Sequence, residues 1–280
     1  MKRFILLAFT FFINALISEE RLVLVSTAPY VEILQELAGD DIQTELLVPA
    51  GFSSHTYEPT ARQIMRASQA KIWFTIGEFF EKKAVDAIKS HNKSFITIDL
   101  RQGLPLLYDE CGHHHHHQDA QQADPHIWMS PKMMIEQVKV IAETLEKVFP
   151  ELSQKVTLRL PFLIKKLNSL DNLIKAELAK KTNHFLVVSH PSYGYFCRDY
   201  SLMQIAIEHE GKDPTAKQLT HLIAFMKANN IHTIFTQKQY STKAAEFIAK
   251  EVGAELISLD PYAQDYFANM QAIAERISGR

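Results

Sequence analysis

The chain has 280 residues, of which 46% are hydrophobic and 22% charged, and its formal net charge at pH 7 is −2. This length and composition suit a packed core divided between two compact lobes, and they exclude an intrinsically disordered chain. The near-neutral charge offers no basic face of the kind that nucleic-acid binding requires, so we expect no nucleic-acid partner.

The first 18 residues have the pattern of a secretory signal peptide. Lys2 and Arg3 precede an apolar run from Phe4 to Ile17, and polar residues follow. The run is too short to span a bilayer comfortably, and its flanks are typical of a cleaved signal. We therefore assign residues 1–18 to a signal peptide and expect export. The alternative is an uncleaved membrane anchor.

Residues 19–150 form the predicted N-terminal lobe, in which apolar strands alternate with helices. Such alternation is typical of βαβ units and a parallel sheet. Strands are predicted at residues 21–26, 44–48, 71–76 and 94–100, and helices at residues 30–38, 60–68 and 78–89.

Residues 101–125 break this alternation and predict a long surface loop, of the kind that is usually functional or disordered. The loop contains a His-rich segment at residues 112–117. Its five consecutive histidines are His113, His114, His115, His116 and His117. Adjacent side chains cannot form one rigid tetrahedral site, so we expect this tract to capture metal loosely, as an auxiliary site.

Two long helices are predicted after the loop. Ser130 is a suitable N-cap with Pro131 at the first helical position, and this helix runs to about Phe149. Residues 151–182 form the predicted connecting helix, with apolar residues at three- and four-residue spacing. Pro161 inside this stretch predicts either a kink or the true start of the helix.

Residues 183–280 repeat the strand–helix pattern and form the predicted C-terminal lobe. The sequence thus predicts an α/β protein of two lobes, each with a mostly parallel sheet flanked by helices, joined by a long helical spine. Strands of the second lobe are predicted at residues 184–189, 202–207, 233–236 and 255–259, and helices near residues 193–200, 215–229, 242–252 and 264–277.

Three histidines and one aspartate lie where a strand or a long loop meets a helix. They are His55 after the second strand, His126 before a helix, and His190 and Asp260 at strand ends. Ligands of α/β sheets bind at the carboxyl ends of strands, and a cleft between two lobes would bring all four together. Three imidazoles and a carboxylate suit tetrahedral Zn²⁺, whereas Mn²⁺ favours more oxygen ligands. Any one of these histidines alone would be interpreted as an ordinary hydrogen-bonded residue.

Four motifs resemble those of the substrate-binding proteins of bacterial zinc and manganese ABC transporters. They begin at His55 (HTYEPT), Asp124 (DPHIWMSP), Val188 (VSHPSYGYF) and Leu259 (LDPY), and they occur in the family's order. The resemblance covers nearly the whole mature chain. DPHIWMSP is highly specific, whereas LDP alone is a weak signal.

The resemblance implies a periplasmic, monomeric binding protein that captures Zn²⁺ in an interlobe cleft and delivers it to an inner-membrane ABC-transporter permease, without enzymatic activity. It implies His55 and His126 as ligands from the first lobe, and His190 and Asp260 from the second. Manganese members typically carry Glu at the position matching His190, and members with a His-rich loop resemble zinc carriers. Zn²⁺ is therefore the expected cargo, with Mn²⁺ or Fe²⁺ as the alternative.

Two other functions remain open at this point. A zinc hydrolase would use three histidines and a metal-bound water. The chain has no HExxH motif and no evident general base, however, and Asp260 as fourth ligand would leave no position for water. An adhesin is the other alternative. Glu58 and Glu208 are alternative ligands or ligand neighbours, although a solvated carboxylate is the simpler interpretation of each.

Overall fold

The computed structural model describes residues 21–108, 123–208 and 212–279, and it contains two four-stranded sheets in which every strand pair is parallel. Helices flank both sheets, and a long helix connects the two lobes, so the predicted α/β fold is confirmed. The predicted signal peptide at residues 1–18 and the tract His113–His117 lie outside the described residues.

The first sheet is built from apolar central strands and more polar edge strands. Its strands are β1 (Leu22–Val25), β2 (Gln43–Leu46), β3 (Ile72–Thr75) and β4 (Ile96–Asp99), and its helices are α1 (Pro29–Ala38), α2 (Ala61–Ala67) and α3 (Phe79–His91). The strand order is β2-β1-β3-β4. The two central strands are wholly buried because helices cover both faces of a parallel sheet, which explains their continuous apolar sequences.

Two long helices follow, α4 (Pro131–Val148) and α5 (Ser153–Leu178). The Ser130 hydroxyl accepts a hydrogen bond from the backbone N–H of Met133 at 3.0 Å, which confirms Ser130 as the N-cap. The second helix begins well before Pro161, so this proline lies inside the helix and the prediction that it marks the start is wrong.

The second sheet has the same strand arrangement as the first. Its strands are β5 (Phe185–Val188), β6 (Met203–Ala206), β7 (Thr233–Gln237) and β8 (Glu255–Leu259), and its helices are α6 (Gly194–Asp199), α7 (Ala216–Ala228), α8 (Lys243–Val252) and α9 (Tyr266–Ser278). The strand order is β6-β5-β7-β8. The central strands β5 and β7 are again the most buried, and Val187 and Ile234 pack in one cluster with apolar side chains of α7 and α8.

The chain divides into two compact units that do not follow the chain order. The first combines the chain up to Leu104 with Ile135–Lys166, and the second combines Pro105–Met134 with the chain from Leu167 onward. Helix α5 therefore begins in one unit and ends in the other. None of the helices in the described part of the chain has the length and apolar character needed to cross a bilayer.

Candidate metal centre

Polar side chains collect at the carboxyl ends of the strands in the second sheet. His190 follows β5, Glu208 follows β6, Tyr240 follows β7, and Asp260 and Tyr262 follow β8. Because all four strands are parallel, their carboxyl ends meet at one edge of the sheet, which is where ligands of such folds bind. The predicted placement of His190 and Asp260 at strand ends is therefore correct.

His126 is buried, with only 2% of its surface exposed, at the start of a short 3₁₀ turn over Ile127–Met129. Its Nδ1 lies 2.7 Å from Oδ1 of Asp124, which also accepts the backbone N–H of His126 at 2.9 Å. An ionised carboxylate can only accept, so Nδ1 carries the proton and Nε2 presents its lone pair. This is the tautomer that a metal-binding imidazole needs.

Gly194, the first residue of α6, allows Asp124 to reach this position. A Cβ on Gly194 would lie 2.8 Å from Oδ2 of Asp124 and 3.3 Å from Leu107. The Tyr195 hydroxyl meanwhile donates to the backbone carbonyl of Asp124 at 2.7 Å. The glycine leaves room for the carboxylate beside His126, and the tyrosine holds the backbone of Asp124 in place.

We expect Gly194→Ala to weaken metal binding without unfolding the protein. The added methyl group should push the Asp124 carboxylate away from His126, and loss of such a partner typically costs about 10- to 100-fold in metal affinity. Zn²⁺ affinity is measured by competition with a fluorescent chelator. The matched control is Gly253→Ala, where a Cβ meets no atom within 4 Å but φ is +67°, so stability should fall and affinity should not. Equal affinity of Gly194→Ala and wild type would contradict the orienting role of Asp124.

His190 is held from several sides. Its ring stacks on Tyr240, with ring centroids 3.8 Å apart and an interplanar angle of 8°, and its Nδ1 lies 3.3 Å from Oε2 of Glu208. The buried Gln237 amide accepts the backbone N–H of His190 at 3.1 Å and donates to its carbonyl at 2.7 Å. Glu208 therefore contacts a candidate ligand, and its interpretation as a solvated carboxylate is wrong.

His126 and His190 lie together in the second unit. Their ring centroids are 5.7 Å apart, and each offers a ring nitrogen within 4.8 Å of one from the other. Two nitrogens bound to one Zn²⁺ at about 2.0–2.1 Å are at most about 4.2 Å apart. A small side-chain movement would therefore place both on the same ion.

Asp260 follows β8 at the same sheet edge as His190, but among the described residues its carboxylate is not in the cluster of ligand atoms that lie within 4.8 Å of one another. Its Oδ1 accepts hydrogen bonds from the Gln239 amide and from the backbone N–H of Tyr262, both at 3.0 Å. These contacts fix the turn after β8. Asp260 as the fourth ligand stays a prediction.

Three buried polar atoms of the second unit have no hydrogen-bond partner among the described residues, namely the Ser192 hydroxyl, the Tyr193 hydroxyl and Oε1 of Gln239. Burial, and then the charge of Asp260, raise the pKa of Tyr193 well above its ordinary value. Buried polar atoms normally have partners. These unpartnered polar atoms make the region polar, so it does not suit an apolar ligand.

His55 belongs to the first unit, in the loop after β2. Its Nδ1 lies 2.9 Å from Oε2 of Glu78, a buried carboxylate that also accepts from the Ser54 hydroxyl at 2.6 Å. The side chain of His55 is 23% exposed, which leaves part of the ring accessible. Glu58, by contrast, is 76% exposed beside Lys83, as expected of a solvated carboxylate.

Glu78 is itself fixed by the N-terminus of α3. The Glu81 carboxylate accepts the backbone N–H groups of Gly77 at 2.7 Å and Glu78 at 3.1 Å, together with the Ser26 hydroxyl. Burial outweighs these hydrogen bonds and raises the pKa of Glu81 to about 7. The carboxylate that faces His55 therefore projects from a well-anchored helix end.

In each of the three predicted histidines, a carboxylate oxygen lies within hydrogen-bonding distance of Nδ1. The sequence did not reveal this shared arrangement. The partners are Asp124, Glu208 and Glu78. Asp124 stands in the conspicuous DPHIWMSP motif, and its position two residues before His126 was a usable signal. No sequence pattern links Glu78 with His55 or Glu208 with His190, because those pairs join separate elements of the fold.

The chain is similar to known metal-binding proteins. The chain is 28% identical to a Chlamydia trachomatis protein whose name proposes metal binding, over 92% of this chain and 91% of that protein. It is 29% identical to the zinc-binding protein AdcA of Streptococcus pyogenes serotype M6, over 89% of this chain but only 54% of that longer protein. The crystal structure of ZnuA superposes with a TM-score of 0.85 at 35% identity, over 92% of this chain and 97% of that one. Residues 23–279 match the family described as zinc-uptake complex component A, periplasmic, and the chain therefore belongs to this family.

Proposed function

We propose that this protein captures Zn²⁺ outside the cytoplasm and delivers it to the permease of an ABC transporter. The observation that carries the proposal is the pair of buried imidazoles, His126 and His190, each with a carboxylate on Nδ1. That arrangement fixes the ring orientation and raises the basicity of the opposite nitrogen, as in metal sites generally. Membership in a zinc-uptake family supports the same function.

One ion is proposed to bind His55, His126, His190 and Asp260. Support for His55 comes from its contact with Glu78, which leaves Nε2 as the ligand atom, as in the other two histidines. Support for Asp260 comes from its position after β8, at the same sheet edge as His190. The cargo enters as a free ion, so the site has to bind and release it without any chemical step. We propose that the protein has no enzymatic activity.

Zn²⁺ is the proposed cargo, and Mn²⁺ or Fe²⁺ the alternative. A site with three imidazole nitrogens and one carboxylate suits the tetrahedral preference of Zn²⁺, whereas Mn²⁺ prefers more oxygen ligands. The name of the Streptococcus pyogenes relative states that it binds zinc.

The tract His113–His117 is proposed to capture additional Zn²⁺ weakly. It lies on a segment whose flanking residues Tyr108 and Ala123 pair in an isolated antiparallel bridge, so the two ends of the segment are adjacent.

The remaining assignments are also proposals: a signal peptide at residues 1–18, lobes at residues 19–150 and 183–280 with the connecting helix at 151–182, export to the periplasm, and a monomeric state.

The function is tested with protein produced without an affinity tag and stripped of metal. Titration with Zn²⁺ against a fluorescent chelator should show one tight site, and Mn²⁺ should bind this site more weakly. Deletion of residues 113–117 should remove only weak additional binding. Tighter binding of Mn²⁺ would contradict the choice of metal, and absence of any tight site would contradict the function itself. Loss of the tight site on deletion would place the tract in the primary site.

A further inference from the structure

The hydroxyl of Tyr262 contacts the nitrogen of His126 that a metal would use. The oxygen lies 3.0 Å from Nε2, on the side of the ring opposite the Asp124 carboxylate. Both residues belong to the second unit, and the two rings lie edge to face with centroids 6.1 Å apart. The contact is buried, because His126 and Tyr262 are both buried.

The direction of this hydrogen bond follows from the partners of the imidazole. Nδ1 donates its proton to Asp124, so Nε2 of the neutral ring has only a lone pair to offer. The Tyr262 hydroxyl must therefore donate to Nε2. A metal ion would bind through the same lone pair, and one lone pair cannot serve both partners.

A second tyrosine holds this hydroxyl in place. The Tyr240 oxygen lies 3.2 Å from the Tyr262 oxygen, and because the proton of Tyr262 points to His126, Tyr240 donates. The ring of Tyr240 also stacks on His190. Hydroxyl groups linked in a chain polarise one another, which strengthens the bond to His126.

The backbone around Tyr262 is equally well fixed. Its N–H donates to Asp260 at 3.0 Å, and the indole N–H of Trp128 donates to the carbonyl of Pro261 at 2.8 Å. The rings of Trp128 and Tyr262 are 5.4 Å apart. The main chain thus stays in place, and rotation of the Tyr262 side chain is the simplest way to release Nε2.

We propose that Tyr262 is a placeholder that competes with the metal ion for Nε2 of His126, so that capture requires the Tyr262–His126 hydrogen bond to break first. This role rests on the proposed function. Tyr262 is then a positioning residue of the metal-free protein. Its hydrogen bond to Nε2 keeps the His126 ring oriented until the ion binds. A competing bond in the free state slows metal association and leaves dissociation unchanged.

The test compares Tyr262→Phe with the wild type by stopped-flow mixing with Zn²⁺ and a fluorescent zinc chelator. Loss of one competing hydrogen bond should raise the association rate and the affinity of the tight site about three- to tenfold, with the dissociation rate changed less than twofold. A merely structural role would instead alter dissociation. Unchanged association, or weaker binding as expected if the phenol oxygen were a metal ligand, would overturn the proposal.

Two further tyrosines serve as controls. Tyr266→Phe removes a buried hydroxyl that donates to the backbone carbonyl of Trp128 at 2.9 Å, and it should lower stability with no change in association rate. Tyr240→Phe keeps the ring on His190 and should give a smaller increase in association than Tyr262→Phe. An increase of equal size in Tyr266→Phe would overturn the proposal, because it would show a non-specific effect.

A metal-independent measurement separates this proposal from the proposed function. In the metal-free protein, long-range ¹H–¹⁵N correlation spectra should show His126 as the Nδ1–H tautomer, with the Nε2 resonance moving downfield in Tyr262→Phe as its hydrogen bond is lost. An unmoved resonance would overturn the placeholder role while zinc binding by the wild type still stood. A wild type without a tight Zn²⁺ site would overturn the proposed function and this role with it.

Discussion

His126→Ala should weaken binding of Zn²⁺ at the tight site by about 100- to 1,000-fold. The apparent free energy of zinc binding to four protein ligands is about 10–16 kcal/mol, or about 2.5–4 kcal/mol for each ligand, and each 1.4 kcal/mol is a factor of ten. The loss should reach the upper end of this range, since His126 is buried and water reaches its place with difficulty. Competition with a chelator of known affinity measures the change.

Matched alanine variants make this result specific. His221→Ala removes an exposed histidine of α7 and should leave the affinity unchanged. His190→Ala and His55→Ala should each resemble His126→Ala. Wild-type affinity in all three site variants would refute the site assignment, and wild-type affinity in His55→Ala alone would restrict the site to the second unit.

Zn²⁺ should raise the melting temperature strongly at pH 7.5 and very little at pH 5. A ligand that binds only the folded state stabilises it by mass action, so the shift reports the affinity. Imidazole in model peptides has a pKa of about 6.5 and must be neutral to bind metal. Zn²⁺ therefore competes with up to three protons when three histidines bind it, and its affinity should fall steeply as the pH drops.

The pH experiment needs the metal-free protein as its reference, because protonation also changes stability without metal. Thermal scans with a chelator at both pH values provide that baseline, and the zinc-dependent shift is the difference from it. An equal zinc-dependent shift at pH 7.5 and pH 5 would show that histidines do not dominate the site. It would indicate an oxygen-rich site, with Asp260 and Glu208 as its main ligands.

The strands and helices were largely predictable because their signals are local. The buried runs Leu22–Val25 and Ile72–Thr75 are uninterrupted apolar segments, as expected of central strands in a parallel sheet. Ser130 and Pro131 mark the start of α4 in the sequence, and the cap forms as predicted. Pro161 does not mark the start of α5, because packing of the long helix outweighs the loss of one backbone hydrogen bond.

The neighbours of the candidate ligands were predicted less well. Glu208 looked like a solvated carboxylate, yet it lies on Nδ1 of His190, because strands β5 and β6 are adjacent and their carboxyl ends coincide. Glu78 gave no sequence signal for its contact with His55, since the two residues are joined only by the folding of the loop against α3. These partners decide which ring nitrogen is available to a metal.

The α/β class, the order of the elements and the strand-end positions of His190 and Asp260 follow from the sequence, because periodicity and capping act over a few residues. The carboxylate that each histidine faces, and the contact of Tyr262 with Nε2 of His126, depend on the folded chain. Those contacts join residues far apart in the chain, such as His126 and Tyr262, and the register of parallel strands, rather than any local pattern, sets which side chains meet at the edge of the sheet.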